Sequence, residues 1–291
     1  MSIAAAKPRN VRRLTLGLAG LALVWLFGVW PPPVWWRDHW PRETAMMRLR
    51  ADGRTRGLAV GGSRSARPTV RPTALKDISP LLQHMVIIGE DSRFRSHFGI
   101  DPVEIADALG LERRAGLGRT VATVWRRRDR LRGASTITQQ LAKNLYLSPS
   151  RNQLRKLKEA VTALRLELAL SKDRILELYL NVAEWGPGVW GAAAASRAYF
   201  YVPPSRLDEW QAASLAATLP HPRTSNPLYE PGRMSARRAL ILARYRGGDV
   251  DIPPAEEPEA PPVIDVAPVM VESLEVETPG TGDTIRDTTR N

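Results

Sequence analysis

The chain has 291 residues, no cysteine and a formal net charge of +12. This length accommodates one domain with additional segments, and the lack of cysteine excludes disulfides, thiolate metal sites and cysteine nucleophiles. Residues 1–248 contain 40 of the 42 Lys and Arg residues and 19 of the 30 acidic residues, so their formal charge is +21. A segment this basic predicts an anionic partner such as nucleic acid, anionic lipid or a phosphate-bearing substrate.

An apolar segment without charged residues extends from Leu14 to Trp30. It follows a basic stretch that contains Lys7, Arg9, Arg12 and Arg13. As a helix it would be about 25 Å long at about 1.5 Å per residue, slightly shorter than the hydrocarbon core of a bilayer. Because basic residues favour the cytoplasmic side of a membrane, we predict a cytoplasmic tail over 1–13, one transmembrane helix over 14–30 and an exported remainder.

A cleaved signal peptide is the alternative interpretation of this segment. The hydrophobic region of a signal peptide is usually shorter, and a cleavage site with small residues follows it. Here Trp30 is followed by three prolines and further tryptophans. This flank favours a retained anchor.

Three segments of different composition follow the predicted anchor. Residues 31–75 are rich in Pro, Arg and Gly and have little helical periodicity, which predicts a juxtamembrane linker. Residues 76–247 have helical periodicity almost throughout, which predicts a mainly α domain. Residues 248–291 are rich in Pro, Glu, Asp and Thr, which predicts a disordered acidic tail.

Eight helices are predicted within the domain from apolar residues three and four positions apart. They lie near residues 80–92, 101–112, 135–147, 152–171, 172–182, 189–199, 205–219 and 233–246. Ser205 and Asp208 have the spacing of a capping box at the start of the seventh helix. The fourth helix carries an apolar stripe formed by Leu154, Leu157, Val161, Leu164 and Leu168.

The first candidate site is a pair of carboxylates, Glu90 and Asp91, that follows an apolar run. Burial at this position would raise a carboxyl pKa and suit the group to acid–base chemistry. The alternative is a solvated helix end in which these residues pair with Arg93 or Arg95. His97 lies close by, and none of the four histidines has the spacing of a zinc ligand.

The second candidate site is a helix start with several amide side chains. Thr136 and Gln139 have capping-box spacing, which predicts a helix N-terminus whose N–H groups favour an anion. Gln140, Lys143 and Asn144 follow on one face of that helix and would form a polar wall for phosphate and sugar hydroxyls. The alternative is a capped surface helix.

The remaining motifs are weaker when each is taken alone. Glu159 lies four residues after Arg155 and three after Lys156, which is the usual spacing of a surface ion pair that contributes little. Residues 172–181 indicate a core helix, and residues 183–191 indicate a Gly-rich turn. A Gly-x-Gly sequence of this kind is weak support for phosphate binding.

Together these motifs resemble glycosyltransferase family 51, the peptidoglycan glycosyltransferases, and are most similar to its monofunctional form. In chain order they are EDSRFRSHFGID, GASTITQQLAKN, RKLKE, KDRILELYLN and the Gly-rich stretch that ends in AYF. The resemblance implies a lysozyme-like α fold with a small membrane-facing region. It also implies that Glu90 is the catalytic base and Glu159 a second essential carboxylate.

The activity implied by the resemblance is polymerisation of peptidoglycan glycan strands. A polyprenyl-pyrophosphate-linked glycan would be transferred, with inversion, to the 4-hydroxyl of the lipid-linked disaccharide-peptide, lipid II. The substrate-binding residues would be Asp91, Phe94, His97, Ser135, Thr136, Gln139, Gln140, Lys143, Asn144, Arg155 and Lys156. Asp107 departs from the family pattern, because many members have Arg or Lys there, and Arg113 and Arg114 are candidates to replace that pyrophosphate contact.

The resemblance also bears on cofactors, partners and location. The resemblance does not establish that any cofactor is required. It leaves open a divalent cation, Mg²⁺ or Mn²⁺, near Glu159, and it identifies no metal ligands. The partners would be lipid II, the nascent glycan strand and the membrane, with cell-wall synthesis or division proteins left open and no nucleic acid. The expected location is the cytoplasmic (inner) membrane, with the catalytic domain in the periplasm.

Two other functions stay open from the residues alone. A lytic transglycosylase or glycan hydrolase shares the lysozyme-like fold and also uses carboxylates, but it needs no group that binds pyrophosphate. A membrane-tethered basic scaffold or nucleic-acid-binding protein would place aromatic residues among its basic runs. Residues 113–132 contain eight arginines but only one aromatic residue, Trp125, which disfavours nucleic-acid binding.

Overall fold

The computed structural model describes residues 8–55, 71–109, 135–147 and 153–253, all of which fall within one compact unit, Met1–Glu257. The described residues are mainly helical, as predicted, with ten α-helices among them. The acidic tail from residue 254 onward and the predicted contacts of Arg113 and Arg114 lie outside the described residues.

The helices follow one another with short connections. In chain order they are α1 (Pro8–Phe27), α2 (Ala45–Thr55), α3 (Pro80–Glu90), α4 (Pro102–Leu109), α5 (Ile137–Tyr146), α6 (Gln153–Ala169), α7 (Lys172–Val182), α8 (Ala192–Phe200), α9 (Glu209–Thr218) and α10 (Gly232–Tyr245). Short 3₁₀ helices occur at Pro33–Arg37, Leu75–Asp77 and Pro204–Arg206. Strands β1 (Glu184–Gly186) and β2 (Val189–Trp190) pair antiparallel where a Gly-rich turn was predicted.

Two predicted helix starts have different outcomes. The capping box at the start of α5 is confirmed: Thr136 Oγ1 accepts the Gln139 N–H at 3.1 Å, and Gln139 Oε1 accepts the Thr136 N–H at 3.1 Å. The predicted start of α9 at Ser205 is wrong, because Leu207 is buried and has extended backbone with ψ of 125°. The helix therefore begins after Asp208, whose carboxylate accepts the Gln211 N–H at 2.8 Å.

The core is formed mainly by α3, α5, α7 and α9. Helix α9 packs against α3 and α10, whereas α5 packs against α6 and α7. Seven of the eleven residues of α7 are buried, including every residue from Leu178 to Val182. This packing brings the end of α3 close to the polar side of α5. The buried polar groups that meet there need hydrogen-bond partners, and each side supplies them to the other.

The predicted linker contributes to this core. Trp36 is buried and its Nε1 donates to the Tyr146 hydroxyl at 2.6 Å. Helix α2, which the sequence analysis did not predict, inserts Met46 and Met47 into the core and packs against α5. It was missed because its few apolar residues lie among arginines, so the segment was interpreted as part of the juxtamembrane linker.

Helix α6 buries a different face from the predicted apolar stripe. Leu154, Leu157 and Leu168 are exposed, whereas Leu166 and Glu159 are buried. Helix α1 packs along α6, with Lys158 Nζ 5.1 Å from the centre of the Trp25 ring. The face of α6 that contains Leu166 is therefore the one turned to the core. Its carboxylates can be buried with it because each forms ion pairs there.

Helix α1 covers most of the predicted anchor, but it begins at Pro8 and ends at Phe27 rather than running from 14 to 30. Trp30 lies beyond its end and is exposed. Within the described ranges, no helix has both the length and the apolar character needed to cross a membrane.

We expect Met47→Ala to lower the free energy of unfolding by about 2–5 kcal/mol, because it removes a fully buried side chain and leaves a cavity. The control is Leu49→Ala in the same helix, where the side chain is exposed and the expected change is within about 0.5 kcal/mol. Denaturant unfolding of the full chain in detergent measures both. Equal small effects would mean that α2 does not pack into the core.

Candidate active site

Glu90 is the last residue of α3, and its side chain is only 8% exposed. Its Oε2 accepts a hydrogen bond from Gln140 Nε2 at 2.9 Å, whereas its Oε1 is buried and accepts none from any described residue. Burial raises the pKa of the Glu90 carboxyl, although nearby positive charges oppose that shift. The solvated helix end is therefore wrong for Glu90, and the group suits acid–base chemistry.

Three elements surround the Glu90 carboxyl. Arg237 Nη2 on α10 lies 3.6 Å from its Oε1, and the charge of Lys143 on α5 also lowers its pKa. Behind Gln140, the hydroxyl of Tyr179 on α7 donates to the amide oxygen at 2.9 Å. Burial and the nearby carboxylates raise the pKa of Tyr179, so the hydroxyl keeps its proton and fixes the Gln140 amide with its NH₂ group towards Glu90.

Asp91 occupies the N-terminus of α5. Its Oδ2 accepts the Ile137 N–H at 2.9 Å, and both carboxylate oxygens accept from His97 Nε2, at 2.9 and 3.0 Å. The anion predicted at this helix start is thus a carboxylate of the protein itself. Because Asp91 and the Thr136 cap take two of its N–H groups, those two are not open to a substrate phosphate.

Asp91, His97 and Asp101 place potential metal ligands within 4.8 Å of one another. However, Asp101 Oδ2 accepts from Arg93 Nε at 2.7 Å, and its Oδ1 accepts two backbone N–H groups. Asp91 is likewise held by Ile137 and His97. A divalent cation binds oxygen ligands that are free of such donors, so this group fits a hydrogen-bonded cluster and not a metal site.

Glu159 forms a buried ion cluster on α6. It is 2% exposed, and its oxygens lie 2.7 Å from Arg155 Nη1 and 2.5 Å from Lys156 Nζ. The predicted surface ion pair is therefore wrong. Since two cations already hold the carboxylate, its surroundings do not fit a divalent cation. Lys156 also donates to Ser135 Oγ at 2.6 Å, which joins this cluster to the start of α5.

The predicted substrate-binding residues fall into two groups. Side chains that are at least partly accessible belong to Ser135, Gln140, Lys143, Asn144, Arg155 and Lys156. Side chains that are buried belong to Asp91, Phe94, His97, Thr136 and Gln139. The buried group shapes the site from behind; for example, Lys172 Nζ lies 4.5 Å from the centre of the Phe94 ring. Asp107 is exposed on α4, and its charge acts on Arg93.

Glu167 is a buried carboxylate that the sequence analysis did not identify. Its Oε1 accepts from the Gly99 N–H at 3.0 Å, Thr138 Oγ1 at 2.6 Å and Lys172 Nζ at 2.7 Å. It therefore joins the first, second and fourth motifs. Its signal in the sequence is the eight-residue separation from Glu159, which places both carboxylates on the same face of α6.

The fourth and fifth motifs support the fold around the site. Asn181 on α7 exchanges hydrogen bonds with the backbone of Thr73, and Glu177 accepts the Leu75 N–H at 2.7 Å. In the hairpin, the Tyr199 hydroxyl donates to the Trp185 carbonyl so close to Gly186 that a Cβ there would lie 2.0 Å from it. The fourth motif thus contacts the chain before α3, and the fifth motif joins its hairpin to the last turn of α8.

A helical domain with a buried, raised-pKa carboxyl beside amide and cationic side chains has the features of an acid–base enzyme for an anionic substrate. The family model described as Transglycosylase matches residues 59–246. The chain therefore belongs to the transglycosylase family, and the resemblance to the peptidoglycan glycosyltransferases is confirmed.

The chain is also similar to individual members named biosynthetic peptidoglycan transglycosylase. The one from Azoarcus sp. strain BH72 is 41% identical over 246 residues, which cover 83% of this chain and 97% of the relative. The one from Thiobacillus denitrificans is 40% identical over 233 residues, 79% and 92% of the two chains. The one from Alcanivorax borkumensis is 45% identical over 191 residues, 64% and 73% of the two chains.

We expect Glu167→Gln to destabilise the fold by about 3–5 kcal/mol, because it leaves the mostly buried Lys172 ammonium without its counter-charge. Asp173→Asn is the matched control, since it removes a carboxylate whose pair with Arg95 is exposed and should cost less than about 1 kcal/mol. Denaturant unfolding at neutral pH compares the two. If the free energy of unfolding falls less for Glu167→Gln than for the control, then Glu167 does not stabilise the packing of the three motifs it contacts.

Proposed function

We propose that this chain polymerises peptidoglycan glycan strands from lipid II, with Glu90 as the base that activates the acceptor. Membership of the transglycosylase family and the names of its relatives support this activity. The observation that carries the role of Glu90 is its buried carboxyl, which accepts one hydrogen bond from the described residues and is fixed by Gln140.

In the proposed reaction, Glu90 removes the proton from the acceptor 4-hydroxyl as that oxygen attacks the anomeric carbon of the donor. The bond from that carbon to the pyrophosphate oxygen breaks with inversion, and the electron pair leaves on the pyrophosphate. An ionised carboxylate has about four lone-pair positions, so the Gln140 bond leaves capacity for this proton. Gln140 in turn is held by Tyr179, which fixes the direction of the carboxyl.

The leaving pyrophosphate gathers negative charge, which nearby cations would stabilise. We assign this role to Lys143, Arg155 and Lys156, with the Ser135 hydroxyl beside them. Lys156 has 45% of its side chain exposed while its ammonium contacts both Glu159 and Ser135. In this scheme Glu159 is a positioning carboxylate, because it holds two cations at the start of α5.

A lytic transglycosylase or glycan hydrolase is the second candidate for this site, because it would also use a buried acidic carboxyl. Wild-type enzyme given lipid II and, separately, finished glycan strands distinguishes the two. Polymerisation of the first substrate supports our proposal. Cleavage of finished glycan strands without polymerisation of lipid II would mean that the chain is a glycan-cleaving enzyme instead.

We also infer a membrane-anchored enzyme with a lysozyme-like catalytic domain over residues 76–247. The anchor would be the apolar segment over 14–30, with the N-terminus in the cytoplasm and the domain in the periplasm. Leucines with more than half of their side chains exposed on both α1 and α6 support this arrangement. Enzyme and lipid-linked substrate would then diffuse in the same membrane plane.

Glu90→Gln should lower the rate of lipid II polymerisation by about 10²-fold or more, because the base is lost while the shape of the side chain is kept. The free energy of unfolding should stay close to that of the wild type. Asp173→Asn is the control, since its carboxylate is exposed and pairs with the exposed Arg95. Turnover of Glu90→Gln within a few-fold of the control would sink the assignment of Glu90.

The proposed topology has its own test. Two fusions after Asn291 would carry either a reporter that works only in the cytoplasm or one that works only in the periplasm. We expect the periplasmic reporter to be active and the cytoplasmic one to be silent, because the basic flank keeps residues 1–13 in the cytoplasm. The reverse pattern would overturn the orientation.

A further inference from the structure

Helix α10 lies outside the five sequence motifs but packs directly against the end of α3. The approach is close: a Cβ on Gly89 would lie 3.0 Å from Ile241 Cδ1 of α10. From the same helix, Arg237 extends towards α3 with only 14% of its side chain exposed. Its Nη2 donates to the Gly89 carbonyl at 2.5 Å, and its Nη1 donates to the Pro253 carbonyl at 2.7 Å.

These two hydrogen bonds fix the Arg237 guanidinium beside Glu90. Nη2 lies 3.6 Å from Glu90 Oε1, which is beyond a hydrogen bond but well within the range of a direct charge interaction. That oxygen is buried and accepts no hydrogen bond from the described part of the chain. The positive charge of Arg237 therefore balances Glu90 Oε1, while Gln140 donates a hydrogen bond to Glu90 Oε2.

Among the described residues, α5, α7 and the neighbouring position in the chain contribute the other groups that face Glu90. From α5 come Gln140 and the charge of Lys143, from α7 the protonated Tyr179, and next along the chain the like charge of Asp91. Of the groups that favour ionised Glu90, Arg237 acts most strongly, ahead of the Gln140 hydrogen bond and Lys143.

We propose that Arg237 is a positioning residue of the reaction, which keeps the buried Glu90 ionised and holds the carboxyl in place through the charge beside its Oε1. The proposal rests on the proposed role of Glu90 as the base. It extends the functional site to α10 and to the chain after it, because Pro253 helps to hold the guanidinium. The site thus depends on a segment that lies beyond all five motifs.

The test is the pH dependence of lipid II polymerisation by Arg237→Gln in the full chain. A base works only when deprotonated, so activity rises with pH through the pKa of Glu90. Loss of a positive charge at this distance raises a carboxyl pKa by about one unit or more. The acid limb of kcat/KM should therefore move to higher pH by about one unit, with turnover recovering towards wild type above that limb.

Arg238→Gln is the matched control on the next residue. Its guanidinium lies 4.4 Å from the centre of the Trp210 ring and donates to Ser214 Oγ at 3.3 Å, so the acid limb should not move. Arg237→Lys keeps a positive charge and should have an acid limb closer to wild type than Arg237→Gln. If Arg237→Gln fails to fold in detergent, the neutral variant Arg237→Met, which keeps an apolar stem of similar length, replaces it with the same expected shift.

An acid limb of the folded, neutral Arg237 variant that coincides with wild type and Arg238→Gln would overturn the proposal. So would a loss of activity that is equal at every pH, because that result indicates a structural role only. Failure of the proposed function gives a different result, in which the wild type does not polymerise lipid II or Glu90→Gln keeps its activity.

Discussion

A carboxylate taken out of water costs several kcal/mol unless cations or N–H groups surround it. This cost falls on Glu90, Asp91, Glu159 and Glu167, all of which are nearly inaccessible and lie around α5. The helices that pack there supply the donors. The second motif provides backbone N–H and hydroxyl groups, α6 provides its own basic residues, and α7 and α10 each provide one cation.

The four carboxylates differ in how many hydrogen bonds and ion pairs they receive. This difference distinguishes the carboxylates that stabilise the fold from the one proposed to act in the reaction. Asp91, Glu159 and Glu167 each accept at least two strong hydrogen bonds or ion pairs, so they are held in place. Among the described residues, Glu90 accepts one hydrogen bond, and its other oxygen has only a longer ion pair, 3.6 Å from a guanidinium that donates its hydrogen bonds elsewhere. The least satisfied buried carboxyl is the one whose proton affinity can change most during a reaction.

The strongly basic composition also has a more specific meaning in the folded chain. Arg93, Arg155, Lys156, Lys172 and Arg174 pair with carboxylates of the protein. The number of basic residues therefore overstates how much positive surface is open to a partner. What the site offers an anion is local: the partly exposed cations beside Ser135, at the start of α5.

The sequence by itself determined most of the helices, the cap of α5 and the family, because these depend on residues close together in the chain. A helix forms through hydrogen bonds four residues apart, and the motifs are continuous strings. It could not determine which face of α6 is buried, since that helix has apolar residues on two sides. Nor could it place Asp91 on the α5 N-terminus across 46 residues, Glu167 on Gly99 across 68, or Arg237 on the end of α3 across 148. Those contacts were decided only by tertiary packing, because local periodicity carries no information about which distant helix ends meet.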